Sequence, residues 1–199
     1  MEEKETKKLL FIVDPQHDFI DGTLPVHGAA NAMDKLADYI KENKDDYEAI
    51  VVSLDWHQRG HCSFVGQQDY EGTPGTWPVH CLRYSWGASI WQRLMEQFDN
   101  IDTYMLTKGN QIDKDAYSLF QDVDSNFIFR NLMEEHGITD VVFCGIVREI
   151  CVMNTLMDFL RIFPNIDPTV IMEFTPSLNE EGEKEFEKFL EENPRVKTV

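Results

Sequence analysis

The feature that most constrains this chain is the alternation of short apolar runs with segments of helical period. Five runs are largely apolar along their length: Leu9–Val13, Ala49–Leu54, Thr103–Leu106, Asp140–Cys144 and Thr169–Phe174. A strand with one wet face alternates polar and apolar residues, whereas a strand covered on both faces stays apolar. Between the runs, Asn31–Lys41 carries Met33, Leu36, Ala37 and Ile40 on one stripe, with Asn31 as its cap or just inside its start. Helices are expected near Ser89–Phe98, over Ser125–His136 with Gly137 as a stop, over Ile150–Phe163 before Pro164, and over Glu180–Glu192 before Pro194. Arg195–Val199 has room for a short sixth strand. The pattern predicts an α/β fold, three-layered and doubly wound, with a mostly parallel sheet of about six strands and helices on both faces. Strand order is not contained in it. A length of 199 residues suits one domain over 1–199, large enough to bury a core without disulfide or metal staples.

Charge narrows the partners. Lys and Arg number 18 against 36 Asp and Glu, a formal net charge of −18. Nucleic acids and anionic membrane surfaces select basic patches, so neither is expected as a partner. The acidity reads as a solvated surface, concentrated in Glu180–Glu192, where Lys184 and Lys188 offset only part of it. No apolar run approaches the roughly 18 residues of a membrane helix. The charged start, Met1 to Lys8, lacks the basic, apolar and small-residue pattern of a signal peptide, so a cytoplasmic protein is expected. Cys62, Cys81, Cys144 and Cys151 show no paired short spacing, which in that compartment suggests free thiols, one of them a candidate for reactivity.

Open α/β sheets bind ligands outside the carboxyl ends of their strands. Asp14 follows the first run, Asp55 and His57 the second, Lys108 the third, and Gly145 the fourth, with Cys151 six residues on. Loop polarity explains any one of these, but not the whole set. Cys151 lies near the start of an expected helix, where backbone N–H groups and a nearby Lys would lower its pKa. Asp14 could accept its proton, making a Cys–Asp–Lys set for covalent catalysis. The alternative is a small buried hydrophobe, the usual state of a free Cys.

The irregular stretch from Trp56 to Gly87 is long enough to be functional. Asp55, His57, His61 and His80 in and beside it suit a divalent metal, since three protein ligands with open positions characterise catalytic sites. Two His and a carboxylate also suit ferrous iron. Surface histidines in a polar loop are the plain alternative. Phe19, Trp77 and Tyr117 sit at expected loops, either as walls for a flat substrate or as packing beneath the loop.

Five segments together carry a family resemblance. They are Ile12-Val13-Asp14-Pro15-Gln16-His17-Asp18-Phe19; Ser53-Leu54-Asp55-Trp56-His57 with His61 and Ser63-Phe64; Trp77-Pro78-Val79-His80-Cys81; Thr107-Lys108-Gly109 with Asp115-Ala116-Tyr117-Ser118; and Gly145-Ile146-Val147 with Cys151-Val152. In this order they resemble the nicotinamidase branch of the isochorismatase-like cysteine hydrolases, over about residues 9–160. The resemblance implies an amidohydrolase that converts nicotinamide to nicotinic acid and ammonia through a thioester. Cys151 would be the nucleophile, Asp14 the base and then the acid, and Lys108 their charge partner. Asp55, His57 and His80 would hold one divalent ion, zinc first, with iron or manganese as alternatives and His61 as an extra ligand ranked below them. Phe19 and Trp77 would sandwich the ring and Tyr117 would line the pocket. A cis Ile146–Val147 bond would aim the Val147 and Cys151 N–H groups at the oxyanion. A small-molecule amide is the implied partner, and a homo-oligomer is compatible with the family.

The chain departs from the family pattern at Val147-Arg148-Glu149, where Ala-Thr-Asp is usual, and at Asn154-Thr155-Leu156, where Asp-Thr-Ala is usual. Beyond residue 160 the likeness is faint. Arg148 as a cation near the pocket would favour an acidic amide instead of nicotinamide. The altered nucleophile loop and acidic tail would also suit a non-catalytic metal-binding module.

Overall fold

In the computed structural model, which describes residues 6–199, six strands form one all-parallel sheet. The first five residues of the charged start lie outside the described residues. In chain order the strands are β1 (Lys8–Val13), β2 (Ala49–Asp55), β3 (Thr103–Lys108), β4 (Asp140–Gly145), β5 (Thr169–Val170) and β6 (Lys197–Thr198). The helices are α1 (His17–Ile20), α2 (Ala29–Asn43), α3 (Gln92–Met95), α4 (Val123–Glu135), α5 (Met153–Ile162) and α6 (Glu180–Glu192). The strands lie in the order β3-β2-β1-β4-β5-β6. The chain winds outward from β1 to β3, then returns to build the other half from β4. The reversal leaves a crevice beyond the ends of β1 and β4, where such sheets bind ligands.

Both faces of the sheet are covered, which is why the runs are apolar throughout. Leu10, Ile12, Ile50 and Val52 pack against Met33, Leu36 and Ile40 of α2 and Leu94 of α3. Their strand neighbours Leu9, Phe11, Val51 and Phe143 face the other way, onto Phe129 of α4, Phe159 of α5 and Phe186 of α6. Phe11 stacks on Phe143 with centroids 5.0 Å apart. Burying an aromatic or aliphatic side chain of this size stabilises by about 1.5–3 kcal/mol.

Three elements differ from expectation, and a fourth settles where Asn31 sits. The helix expected over Ser89–Phe98 contracts to α3, because Ile90 pairs with Gln16 and the Trp91 N–H donates to the Pro15 carbonyl at 2.8 Å. The fifth run gives only two strand residues before turning at Met172–Phe174, a turn closed by Thr175 Oγ1 donating to the Ile171 carbonyl at 2.8 Å. α2 starts at Ala29 after Gly28, so Asn31 lies inside it. The helix expected from Ile150 opens instead as a π-helical turn, Arg148–Val152, that leads into α5. No helix among the described residues is long and apolar enough to cross a membrane.

Candidate active site and metal cradle

Strand register assembles the site. β2 and β3 end on a matched pair, Asp55 opposite Lys108. β1 and β4 end with Val13 opposite Gly145. Gly145 has φ +118°, and a Cβ there would stand 2.2 Å from the Val13 carbonyl oxygen, so the chain leaves β4 through a position that requires glycine. The Ile146–Val147 bond is cis, and the turn that follows carries Cys151. Asp14, just past β1, receives a hydrogen bond at Oδ1 from Ser53 Oγ at 2.7 Å.

Lys108 lies at the centre of these groups. Its Nζ is 2.9 Å from Asp14 Oδ2 and 3.7 Å from Cys151 Sγ, and it donates to Asp55 Oδ1 and, at 3.3 Å, to the Ala116 carbonyl. Asp14 and Lys108 are fully buried and Cys151 is 7% exposed. Burial works against the Lys108 ammonium, but Asp14 and Asp55 hold its pKa well above the usual lysine value. Burial raises the Asp14 carboxyl, with Lys108 pulling the other way. Burial also pushes the Cys151 thiol well above its ordinary value. Lys108 opposes that shift, while Asp14 and Asp55 add to it. The depressed thiol pKa expected from the sequence is therefore corrected: desolvation and two carboxylates outweigh one lysine. The sulfur and the Asp14 carboxylate meet at the same ammonium.

Asp55 turns its second oxygen to a pair of histidines. Oδ2 is 3.6 Å from His57 Nε2 and 3.7 Å from His80 Nε2. The His57 Nδ1–H donates to the Gly109 carbonyl at 3.2 Å and the His80 Nδ1–H to the Pro78 carbonyl at 2.7 Å. Carbonyls only accept, so each Nδ1 carries the proton and each Nε2 is left with a lone pair, the arrangement of metal-binding imidazoles. These separations fit donors about 2.0–2.2 Å from one shared ion. Asp55, His57 and His80 are thus a candidate donor set for a divalent metal. Gly109 makes room for it: its φ is +68°, and a Cβ would stand 2.5 Å from His57 Cε1. Burial alone would raise the Asp55 pKa, but Lys108 and His57 hold it well below the carboxylate range. Burial opposes protonation of His80, yet Asp55 raises its pKa.

His61 stands apart from this set. Its Nδ1 accepts from the Ser63 N–H at 3.2 Å, and its ring leans on His57 with centroids 4.1 Å apart. Burial and the neighbouring His57 lower its pKa to about 4, so it is neutral.

A cavity of about 200 Å³ opens between the cradle and Cys151. Phe19, Trp77, Tyr117 and Val147 all line it, and Trp77 Nε1 donates to Tyr117 Oη at 3.1 Å. Arg148 does not line it. Its Nε donates to the Thr175 carbonyl at 2.7 Å and its Nη2 to the Met172 carbonyl at 3.3 Å, so no cation reaches the pocket from this residue.

Several contributors escaped sequence reasoning. Gln16 is fully buried; its Oε1 accepts from the Asp55 N–H and its Nε2 donates to the Asp55 carbonyl, both at 2.8 Å. Asp18 Oδ2 accepts from the Cys81 N–H at 2.7 Å, next to His80. Gln16 and Asp18 both lie a few residues past the first apolar run, within the Asp14–Phe19 segment, and spacing alone does not distinguish them from ordinary loop polarity. Ser53, the donor to Asp14, carries no signal of its own.

The fold defines a three-layer α/β protein with a candidate hydrolase site at the carboxyl edge of its sheet. A family model described as the isochorismatase domain matches residues 8–193. The chain belongs to the isochorismatase family, in its nicotinamidase branch, and is an amidohydrolase acting on a carboxamide. It is 28% identical to a nicotinamidase of Saccharomyces cerevisiae over 199 residues, covering 88% of this chain and 91% of that protein. It is 33% identical to a nicotinamidase/pyrazinamidase of Mycobacterium tuberculosis over 156 residues, covering 77% and 79%. Among solved structures, the pyrazinamidase of Pyrococcus horikoshii in complex with zinc is similar with a TM-score of 0.78, at 29% identity over 97% of this chain and 98% of that one.

Proposed function

We propose that this enzyme hydrolyses nicotinamide to nicotinic acid and ammonia through a thioester on Cys151. The observation that carries the reading is the position of Lys108 Nζ, 2.9 Å from Asp14 Oδ2 and 3.7 Å from Cys151 Sγ, where Cys151 itself lines a cavity with aromatic sides. Similarity to nicotinamidases supports the choice of amide.

The chemistry follows from these groups. Asp14 takes the Cys151 proton as the sulfur adds to the carboxamide carbon, and Lys108 compensates the charge that moves between them. The Val147 and Cys151 N–H groups are the donors we assign to the oxyanion. Asp14 then returns the proton to the amide nitrogen, the C–N bond breaks and ammonia leaves. Water gives a proton to Asp14 and adds to the thioester carbon. Nicotinic acid departs and Cys151 regains its proton from Asp14. Phe19 and Trp77 hold the ring between them, with Tyr117 fixed by Trp77. Asp55, His57 and His80 would hold the metal, which would supply a Lewis acid at that side of the pocket. We propose zinc, which suits this donor set, with iron or manganese as the alternatives.

Ammonia release from nicotinamide tests the proposal, using metal-loaded protein, the same protein with a chelator, and Cys151→Ala. Release that falls with chelator and vanishes in the variant supports it. Folded, metal-loaded protein that leaves nicotinamide intact would overturn it.

A further inference from the structure

Leu178 lines the cavity and is 40% exposed, so it stands at the mouth with one side to the pocket and one to solvent. It belongs to the connection between β5 and α6, which Arg148 and Glu149 hold down. The Arg148 N–H donates to the Pro176 carbonyl at 3.0 Å, and its guanidinium binds the carbonyls of Met172 and Thr175. Glu149 takes the next two residues. Its Oε2 accepts from Ser177 Oγ at 3.0 Å and its Oε1 from the Leu178 N–H at 2.9 Å.

The Glu149 carboxylate is buried beneath the first turn of α6, where Gly182 leaves it room. A Cβ on Gly182 would stand 2.0 Å from Oε1. Glu149 is not needed to cap α6, because Asn179 Oδ1 already accepts from the N–H groups of Glu181 and Gly182 at 3.0 Å each. Its hydrogen bonds serve the two residues before that cap. It also lies in the same turn as Cys151, two residues away, so one turn presents the thiol and fixes what covers it.

We propose that Glu149 is a positioning residue for substrate size: it clamps Leu178 across the cavity mouth and restricts the enzyme to small, flat carboxamides. The proposal builds on the amidase reading above, but access to Cys151 tests it independently. Arg148 adds no charge to this selection, since its guanidinium binds backbone carbonyls.

The test compares the intact enzyme with Glu149→Gln, Leu178→Ala and the double variant. Gln keeps the shape of Glu149 but loses its charge: with its oxygen on the Leu178 N–H, its amide N–H meets Ser177 Oγ, which then donates to the Asn179 carbonyl at 3.0 Å, and the hold on Leu178 drops to a neutral hydrogen bond. Alkylation of Cys151 by iodoacetamide and by the bulky fluorescein-5-maleimide is followed by mass spectrometry with peptide mapping. Each single variant should raise the bulky-to-small rate ratio by roughly tenfold, the effect of losing one hydrogen bond to a charged group or the side chain it holds. The double variant should show no more than Leu178→Ala alone, because Glu149 acts through Leu178. The kcat/KM ratio of ring-substituted nicotinamides to nicotinamide should move in the same way.

Unchanged labelling ratios in Glu149→Gln, or single effects that multiply in the double variant, would overturn the proposal. If Glu149→Gln does not fold, Ser177→Ala removes one of the two donors and should raise the labelling ratio in the same direction. No increase there would also overturn it. Failure of the intact enzyme to hydrolyse nicotinamide would sink the nicotinamide reading, while the labelling ratios would still decide the clamp.

Discussion

Lys108 donates to Oδ1 of Asp55, and the other oxygen of that carboxylate faces His57 and His80. One side chain therefore joins the Cys151–Asp14–Lys108 cluster to the metal cradle. The join arises from register, since Asp55 and Lys108 are the last matched pair of β2 and β3.

Asp55→Asn should therefore damage both sites at once. The amide keeps the size but loses the charge that Lys108 and a cation share. Metal content, measured by elemental mass spectrometry, should fall by at least about tenfold, the lower end of what loss of supporting groups costs a metal site. Ammonia release should fall with it. Metal retained at one ion per chain would show that the ion is held elsewhere.

Lys108→Met should destabilise the fold as well as stop turnover. It leaves Asp14 and Asp55 buried without their shared cation. Breaking a buried pair in this way costs about 3–5 kcal/mol. Urea unfolding of the two proteins at neutral pH measures the difference. A change within about 0.5 kcal/mol, ordinary for a surface substitution, would contradict the buried ion-pair geometry.

The apolar runs made the layers and the strand exits legible, because strands covered on both faces have little polar content until they end. Asp14, Asp55, Lys108 and Cys151 could be gathered at one edge on that basis. Which of them touch was not legible, since it depends on strand order and on the β2–β3 register. His57 and His61 look alike in sequence, four residues apart in one loop. Only the local turn shows that the His61 Nδ1 is taken by the Ser63 N–H while His57 turns its Nε2 to Asp55. The setting of Arg148 was not legible for a similar reason: its partners are carbonyls 24 and 27 residues away.

Ser53→Ala should shift the pH profile. Ser53 Oγ donates to Asp14 Oδ1 and thereby favours the carboxylate over the acid. Burial already raises the Asp14 pKa, and removing the donor raises it further. Less of the base is ionised at a given pH, so the acid limb of kcat/KM moves to higher pH. A limb that stays in place or moves to lower pH would count against Asp14 as the base.

Gly109→Ala tests the cradle without touching a donor atom. The new Cβ would stand 2.5 Å from His57 Cε1, at a residue with φ +68°. The backbone conformation alone costs a non-glycine residue on the order of 1–3 kcal/mol. Pushing the His57 ring aside should weaken metal affinity, read as a higher apparent Kd in competition with a chromogenic chelator. An unchanged Kd would mean that this imidazole is not held where the ion binds.

The most direct test is to trap the covalent intermediate. Metal-loaded enzyme is mixed with nicotinamide, acid-quenched within the first turnover and measured by intact mass with peptide mapping. The account predicts a nicotinoyl adduct on Cys151 that hydroxylamine removes and that Cys151→Ala never forms. Steady ammonia release by Cys151→Ala, or an adduct on a different residue, would contradict it.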